Sequence, residues 1–333
     1  MTQTLALVES PTQLLNVVEW AHLTDGAAVH VAVLPPRDVV SLVQLAEMSV
    51  LARRQGMTVS HYDVRGGLAG RLAATSVLLP RVMTADRLVV GDPFSRAIQA
   101  LLPLARTRRT VVVDDGTATL EYAACVAQRR PLVRWRHGGA PPRLAARATR
   151  LLSPRAGRSL TVFSALSGTA PSGSVPMTNA FEWTRSSATP AVLPGAVDIV
   201  GASLVESGVV DYESYLGAVA QLAHRRRATR YLAHRREDID KLRELAQLTG
   251  LEVLRPRVPL ELYLRRGPVA ETVITFPSTI AHTLPVVLAD MPVAVQVHEV
   301  QPAWFATGAT ERSREFVHRV TSSARTRHAM QIA

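Results

Sequence analysis

Residues 109–121 read RTVVVDDGTATLE. The β-branched run Thr110 to Val113 predicts a strand buried on both faces, the pattern of an inner strand in a parallel sheet. It stops at two adjacent carboxylates, Asp114 and Asp115, followed by Gly116, a residue that lets the backbone turn tightly. Thr117 is then placed to cap a short helix running to Ala127. Ligands of open α/β sheets bind outside the carboxyl ends of the strands, which makes this acidic corner a candidate active site. The competing reading is a plain loop, with Asp114 capping the next helix and Asp115 facing water.

The flanking sequence alternates in the same way. Apolar runs at Leu5 to Val8, Ala28 to Leu34, Met57 to Tyr62 and Leu88 to Gly91 predict strands. Helical patterns fall after the loop ESPTQ (9–13) and run through Trp20, over Val39 to Arg54 and over Phe94 to Leu104. Such alternation implies βαβ units and a parallel sheet. No G-x-G-x-x-G follows a strand, so a dinucleotide is not indicated. The loops after the first and fourth strands hold Ser10, Pro11 and Gln13, and Gly91 and Asp92. Parallel strands bring both loops to the edge that carries Gly116, as expected walls of a binding cleft. Ordinary helix capping by Ser10 or Thr12, and by Asp92 ahead of Pro93, accounts for the same residues.

Arg129 to Arg158 is dense in arginine, with an amphipathic basic helix predicted around Leu144 to Leu152. Ser164 to Ser187 is rich in Ser, Gly, Pro and Thr and predicts a loop or linker. From Val197 the alternation resumes, with strands at Asp198 to Ala202, Thr229 to Ala233, Gly250 to Leu254, Thr272 to Phe276 and Val293 to Val297. Helices are predicted between them and over Thr310 to Val320. The expected division is a first Rossmann-like domain at 1–158, a second at 159–309 and a C-terminal helix with a basic tail at 310–333.

A chain of 333 residues with 47 % hydrophobic and 20 % charged residues fits a globular protein of more than one domain. No apolar run reaches 18 residues and no signal-peptide pattern opens the chain, so the expected location is cytoplasmic. The lone cysteine, Cys125, excludes an internal disulfide and reads as a small core residue. The net charge of +11 suits an anionic substrate or peripheral contact with an anionic membrane. Nucleic acid is the weaker partner, because zinc-finger spacing is missing and aromatic residues make up only 5 %. Arginine-rich composition by itself accounts for much of the charge.

Three further sets of residues carry candidate chemistry. His234 stands at a strand end before Arg235 and Arg236, where an imidazole would meet an anion or simply decorate the surface. Pro277, Ser278 and Thr279 lie between a strand and a helix N-terminus, which suits either phosphate binding or N-capping. Glu261 sits in the otherwise apolar turn VPLELY, able to accept ribose hydroxyls or to favour a first helical turn.

In order along the chain, eight segments resemble the bacterial sialyltransferases and polysialyltransferases of GT-B type, particularly glycosyltransferase family 52. They are VESPTQLLNV (8–17), VVVDDGTATLEY (111–122), LTVFSAL (160–166), NAFEW (179–183), VDIVGASLVESGVVDYESYL (197–216), YLAHRRED (231–238), VPLELYL (258–264) and ITFPSTIAHTLP (274–285). The resemblance spans roughly residues 5–290. It implies a GT-B fold, two Rossmann-like domains facing across a cleft. It also implies metal-independent, inverting transfer of sialic acid from a CMP-activated donor to a glycan acceptor. The CMP-sugar is a co-substrate, and no cofactor is expected. Asp115 or Asp114 would be the base. His234 would assist the donor phosphate, Ser278 and Thr279 would hold it, and Glu261 would take the cytidine ribose. Gly201, Arg235 and Pro277 fall in the same donor-side motifs. Arg235 stands where the family has proline, which leaves open another nonulosonic acid or another nucleotide sugar. A catalytically silent nucleotide- or glycan-binding relative is a further reading, and an oligomer is compatible with all of them.

Overall fold

The computed structural model describes residues 3–24, 28–114, 116–133, 143–166, 170–328 and 331–332. They form two compact units, Met1–Trp183 and Thr184–Ala333. The first unit runs β1 (Thr4–Val8), α1 (Pro11–Leu23), β2 (Val29–Val33), α2 (Val39–Arg54), β3 (Thr58–His61), α3 (Leu68–Thr84) and β4 (Arg87–Val90). It continues with α4 (Arg96–Leu101), β5 (Arg109–Val113), α5 (Thr117–Ala127), α6 (Arg143–Leu151), β6 (Ser159–Ser164) and β7 (Val175–Thr178). The helix α7 (Glu182–Ser187) carries the division between the units.

The seven strands lie in the order β3-β2-β1-β4-β5-β6-β7, and every pairing is parallel. This order puts the topological switch between β1 and β4. β1 and β2 are buried along their whole length, because helices cover both faces and leave no side for water. On one face, Leu5, Leu7, Val90 and Val112 pack against Leu78, Val82, Phe94, Ile98 and Tyr122. Cys125 joins this core, its buried thiol directed at Glu121 and outside any disulfide.

The second unit runs β8 (Val192–Val200), α8 (Tyr212–Arg226), β9 (Arg230–Leu232), α9 (Ile239–Thr249), β10 (Glu252–Leu254) and α10 (Leu260–Arg266). Then follow β11 (Val269–Thr275), α11 (Ile280–Val287), β12 (Ala294–Val297), α12 (Glu311–His328) and β13 (Gln331–Ile332). Its sheet has the order β10-β9-β8-β11-β12-β13, again all parallel. Counted from its own first strand, the order repeats that of the first unit, with the switch between β8 and β11. Local chemistry starts and stops the helices. Asp211 and Asp238 cap α8 and α9 by accepting first-turn N–H groups, and Gly250 closes α9 at φ +69°.

The structure corrects several expectations. The expected first boundary at 158 moves to Trp183, because β6 and β7 add to the first sheet beside β5. Residues 164–187, expected to be linker, thus hold β7 and α7, and α12 belongs to the second unit. α3 is an additional helix whose pattern is obscured by Gly66 and Gly67 before it and Pro80 inside it. The cap of α5 is Gly116 at φ +68°, with Thr117 already the first helical residue. α4 is capped by Ser95, while Asp92 accepts the N–H of Phe94 in the preceding turn. Among the described residues no helix is long and apolar enough to cross a membrane.

Candidate functional site

Asp114 follows β5 and is 2 % exposed. Its Oδ1 accepts the Thr119 hydroxyl at 2.5 Å, and its Oδ2 accepts the Ser164 hydroxyl at 2.8 Å and the Ala165 N–H at 3.2 Å. Burial pushes this carboxyl above its ordinary range, and the bonds from Thr119, Ser164, Gly116 and Ala165 act in the opposite direction. Asp114 therefore ties the end of β5 to α5 and to the end of β6. Asp115 lies outside the described residues.

α1 braces this edge. Gln13, Asn16 and Glu19 recur every three residues on one buried face. Gln13 Oε1 accepts the Glu9 N–H at 2.7 Å, and an added Cβ at Gly91 would lie 2.5 Å from that same oxygen. Gly91 is a glycine because Gln13 and the Leu7 carbonyl approach it closely. Asn16 donates to the Asp114 carbonyl and accepts from Asn179, and Glu19 accepts the N–H of Trp183. Ser10 is the N-cap of α1, accepting from the Gln13 N–H, with Pro11 in the first turn. Ser10, Pro11, Gln13, Gly91 and Gly116 thus shape the edge of the first sheet.

Beside them is a cavity of about 700 Å³, lined among others by Glu9, Arg65, Asp92, Phe94, Ser95 and Gln99. Glu9 Oε1 accepts both the Ser95 hydroxyl and the Arg65 guanidinium at 2.6 Å. Burial raises the Glu9 carboxyl above its usual range, against the pull of Ser95 and Arg65. Sequence reading put Glu9 in the loop expected to wall the cleft but gave it no role of its own, and it passed over Gln99. A charged residue at the end of a wholly apolar strand was the available signal for Glu9; Gln99 had none.

In the second unit, Gly201, His234 and Pro277-Ser278-Thr279 follow the adjacent strands β8, β9 and β11 at one sheet edge. His234 is half-buried. Burial, then Arg235, Arg236, Lys241 and Arg255, hold its imidazole well below the usual histidine range. Its Nδ1 accepts the Arg236 N–H at 3.2 Å, which places the proton of the neutral ring on Nε2.

Beneath the loop lies a network to which sequence reading gave no role. Glu237 Oε2 accepts the His234 N–H at 2.6 Å, while Oε1 accepts the Tyr231 hydroxyl at 2.6 Å and pairs with Lys241 Nζ at 2.9 Å. Lys241 also pairs with Glu206 at 2.7 Å, and the Tyr215 and Tyr231 hydroxyls share a 2.8 Å bond. A Cβ at Gly201 would fall onto Glu237 Oε2 and the Tyr231 hydroxyl, so glycine is required there. The i, i+4 spacing of Glu237 and Lys241 was the signal in the sequence.

Glu261 on α10 is 3 % exposed and accepts the Thr283 hydroxyl of α11 at 2.8 Å. This bond places it against α11, the helix that begins after Ser278-Thr279. At that helix start the two hydroxyls differ from ordinary caps. Thr279 stands at the N-cap without a side-chain capping bond. Ser278 Oγ is buried and has no hydrogen-bond partner among the described residues.

No protein-family model matches the chain, and no curated protein matches it. Solved structures do. The α/β-galactoside α-2,3-sialyltransferase of the luminous marine bacterium Photobacterium phosphoreum is 9 % identical, with a TM-score of 0.51 over 99 % of this chain and 98 % of that one. A putative UDP-N-acetylglucosamine 2-epimerase from Listeria monocytogenes is 12 % identical, with a TM-score of 0.51 over 90 % of this chain and 79 % of that one. The fold class is therefore the one expected: GT-B, with two Rossmann-like α/β units. At these identities the likeness concerns the fold.

Proposed function

We propose that the chain is an inverting, metal-independent glycosyltransferase that moves sialic acid, or a related nonulosonic acid, from a CMP-activated donor to a glycan acceptor. The observation that carries this reading is the buried, partnerless Ser278 Oγ at the start of α11. A buried hydroxyl without a partner is costly unless a ligand satisfies it. A phosphate oxygen at a helix N-terminus does so, and the helix dipole favours its charge. The order of the sequence motifs supports the choice of CMP-sugar, and the GT-B fold is compatible with a nucleotide-sugar donor of any kind.

In this reading the bond from the sugar to the phosphate oxygen breaks, and CMP leaves with the electron pair. Ser278, Thr279 and the His234 Nε2–H stabilise the departing phosphate. The acceptor hydroxyl attacks the opposite face of the sugar and gives its proton to a carboxylate. Asp114 has both oxygens engaged within the protein, so this role is assigned to Asp115. Arg235 adds a cation beside the donor, and Glu261, next to α11, takes the ribose. The groups around Asp92 belong to the acceptor side. Exposed Arg143, Arg147 and Arg150 on α6 supply a basic face for peripheral contact with an anionic membrane.

Arg235 in place of proline favours one second reading, a transferase using a different nucleotide sugar. Calorimetric titration with CMP, CDP, UDP and ADP separates the two: selective CMP binding supports the proposal, and a UDP or ADP preference selects the second. Selective binding with no turnover of any donor, with or without glycan, removes the enzymatic reading.

A further inference from the structure

The cavity at the switch point of the first sheet is more specific than a generic cleft. Its polar end is built from the turns after β1 and β4, the position where open α/β sheets bind ligands. Glu9 takes both of its partners, Ser95 and Arg65, on Oε1, and Oε2 has no partner among the described residues. Gln99 is 2 % exposed, and its Nε2 donates to the Pro93 carbonyl at 2.9 Å and to the Leu132 carbonyl at 2.8 Å. Those two bonds fix the orientation of the amide and leave Oε1 without a donor among the described residues. Both unmatched atoms are acceptors, and both residues line the cavity. A ligand that matches them must donate hydrogen bonds, and because the carboxylates of Glu9 and Asp92 are balanced in the lining by Arg65 and Arg96, the charges of the site call for no net charge on it.

The remaining wall is mostly apolar, with Thr75 and Arg96 as its polar members. Leu78, Leu101, Leu132 and Val133 line it, and Leu104, 42 % exposed, is also part of the lining. A sugar alone would leave this surface wet. About 700 Å³ accommodates a monosaccharide together with a short hydrocarbon or aryl group.

We propose that this cavity binds the acceptor as a neutral, hydroxyl-bearing sugar joined to an apolar body. Glu9 Oε2 and Gln99 Oε1 accept from the sugar hydroxyls, and the leucine wall covers the apolar part. This names the acceptor class of the proposed transferase and rests on that reading for the word acceptor, though the binding itself does not. The test is calorimetry on the full chain with hexyl β-D-galactoside, methyl β-D-galactoside and hexyl sulfate. The expected result is that the hexyl glycoside binds at least tenfold more tightly than either control. Leu104→Asp, at a partly exposed position, is expected to cut the hexyl-over-methyl preference at least threefold with an unchanged melting curve, and Glu9→Gln to weaken both glycosides alike at a temperature where the variant is fully folded. Hexyl and methyl glycosides of equal affinity, or hexyl sulfate bound as tightly as the glycoside, overturn the proposal. CMP titrated into the same sample keeps the two ideas apart. CMP binding without preference for the hexyl glycoside sinks this inference and leaves the transferase reading. Hexyl glycoside binding without any nucleotide binding does the reverse.

Discussion

Glu237 Oε2 accepts the backbone N–H of His234 at 2.6 Å, so a carboxylate three residues away fixes the histidine loop. The same carboxylate holds Tyr231 and Lys241, both almost fully buried. Removing it would strand the His234 N–H, leave the Tyr231 hydroxyl with Tyr215, and leave the Lys241 cation with Glu206 and the face of the Tyr215 ring. Glu237→Ala is expected to cost about 3 kcal/mol in a urea melt, the lower end for breaking a buried pair. A loss under about 1 kcal/mol would show the network to be incidental.

Gly201 presses on the other side of this carboxylate. Gly201→Ala forces Glu237 or Tyr231 to move, with an expected loss of about 1–3 kcal/mol from overpacking. Gly217, in the exposed middle of α8, has open space where its Cβ would be, so Gly217→Ala is the control, expected to be neutral or stabilising. Equal melting midpoints for the two variants would contradict this account.

Ser278→Ala separates capping from phosphate binding. Its hydroxyl caps nothing, so the unliganded variant is expected to match the wild type within about 0.5 kcal/mol or to exceed it. Affinity for CMP is expected to fall about tenfold, the worth of one hydrogen bond to a charged group. A clear loss of stability with unchanged CMP affinity would assign the residue to the helix start alone.

The two aspartates are expected to divide stability from catalysis. Asp114→Asn gives up acceptor capacity towards Thr119, Ser164 and Ala165, at a cost of about 1–3 kcal/mol, yet keeps transfer per folded molecule within about tenfold. Asp115→Asn is expected to lower transfer about 10²- to 10⁴-fold, the usual worth of a general base. The reverse pattern in a rate assay corrected for folded fraction would reassign the base.

The depressed His234 predicts how stability responds to acid. The folded protein holds the ring neutral, while the unfolded chain takes up a proton near the ordinary value of 6.5. Its contribution is therefore complete above pH 6.5 and is lost as the pH falls through the depressed folded value. His234→Asn keeps an acceptor for the Arg236 N–H but cannot titrate. Its melting temperature is expected to fall less than that of the wild type between pH 7 and pH 5. His30 and His61, also lowered by burial, contribute the same slope to both proteins and cancel in the comparison.

Much of the fold was legible because its signals are local. Runs such as Val111 to Val113 and the spacing of the helices define two α/β units from neighbouring residues alone. Ser10 and Asp238 act as caps through groups two or three residues away. The linker expected at 164–187 failed for the opposite reason. Val175 to Thr178 is short, mostly exposed and interrupted by Pro176, and becomes a strand only because β6 offers it an open edge.

The acidic corner divides in the same way. Sequence placed Asp114 and Asp115 at the end of a buried strand, and placed His234 and Ser278 at strand ends as well. It could not tell that Asp114 is spent on Ser164, fifty residues on, since that bond exists only once β6 lies beside β5. Nor could it separate Ser278 as a cap from Ser278 as a ligand group; the missing partner of its Oγ is a property of packing. Local periodicity and turn chemistry wrote the architecture into the chain. Which polar groups are satisfied within the fold, and which are not, was decided by contacts between residues far apart in sequence, because burial and hydrogen-bond partners exist only in the folded state.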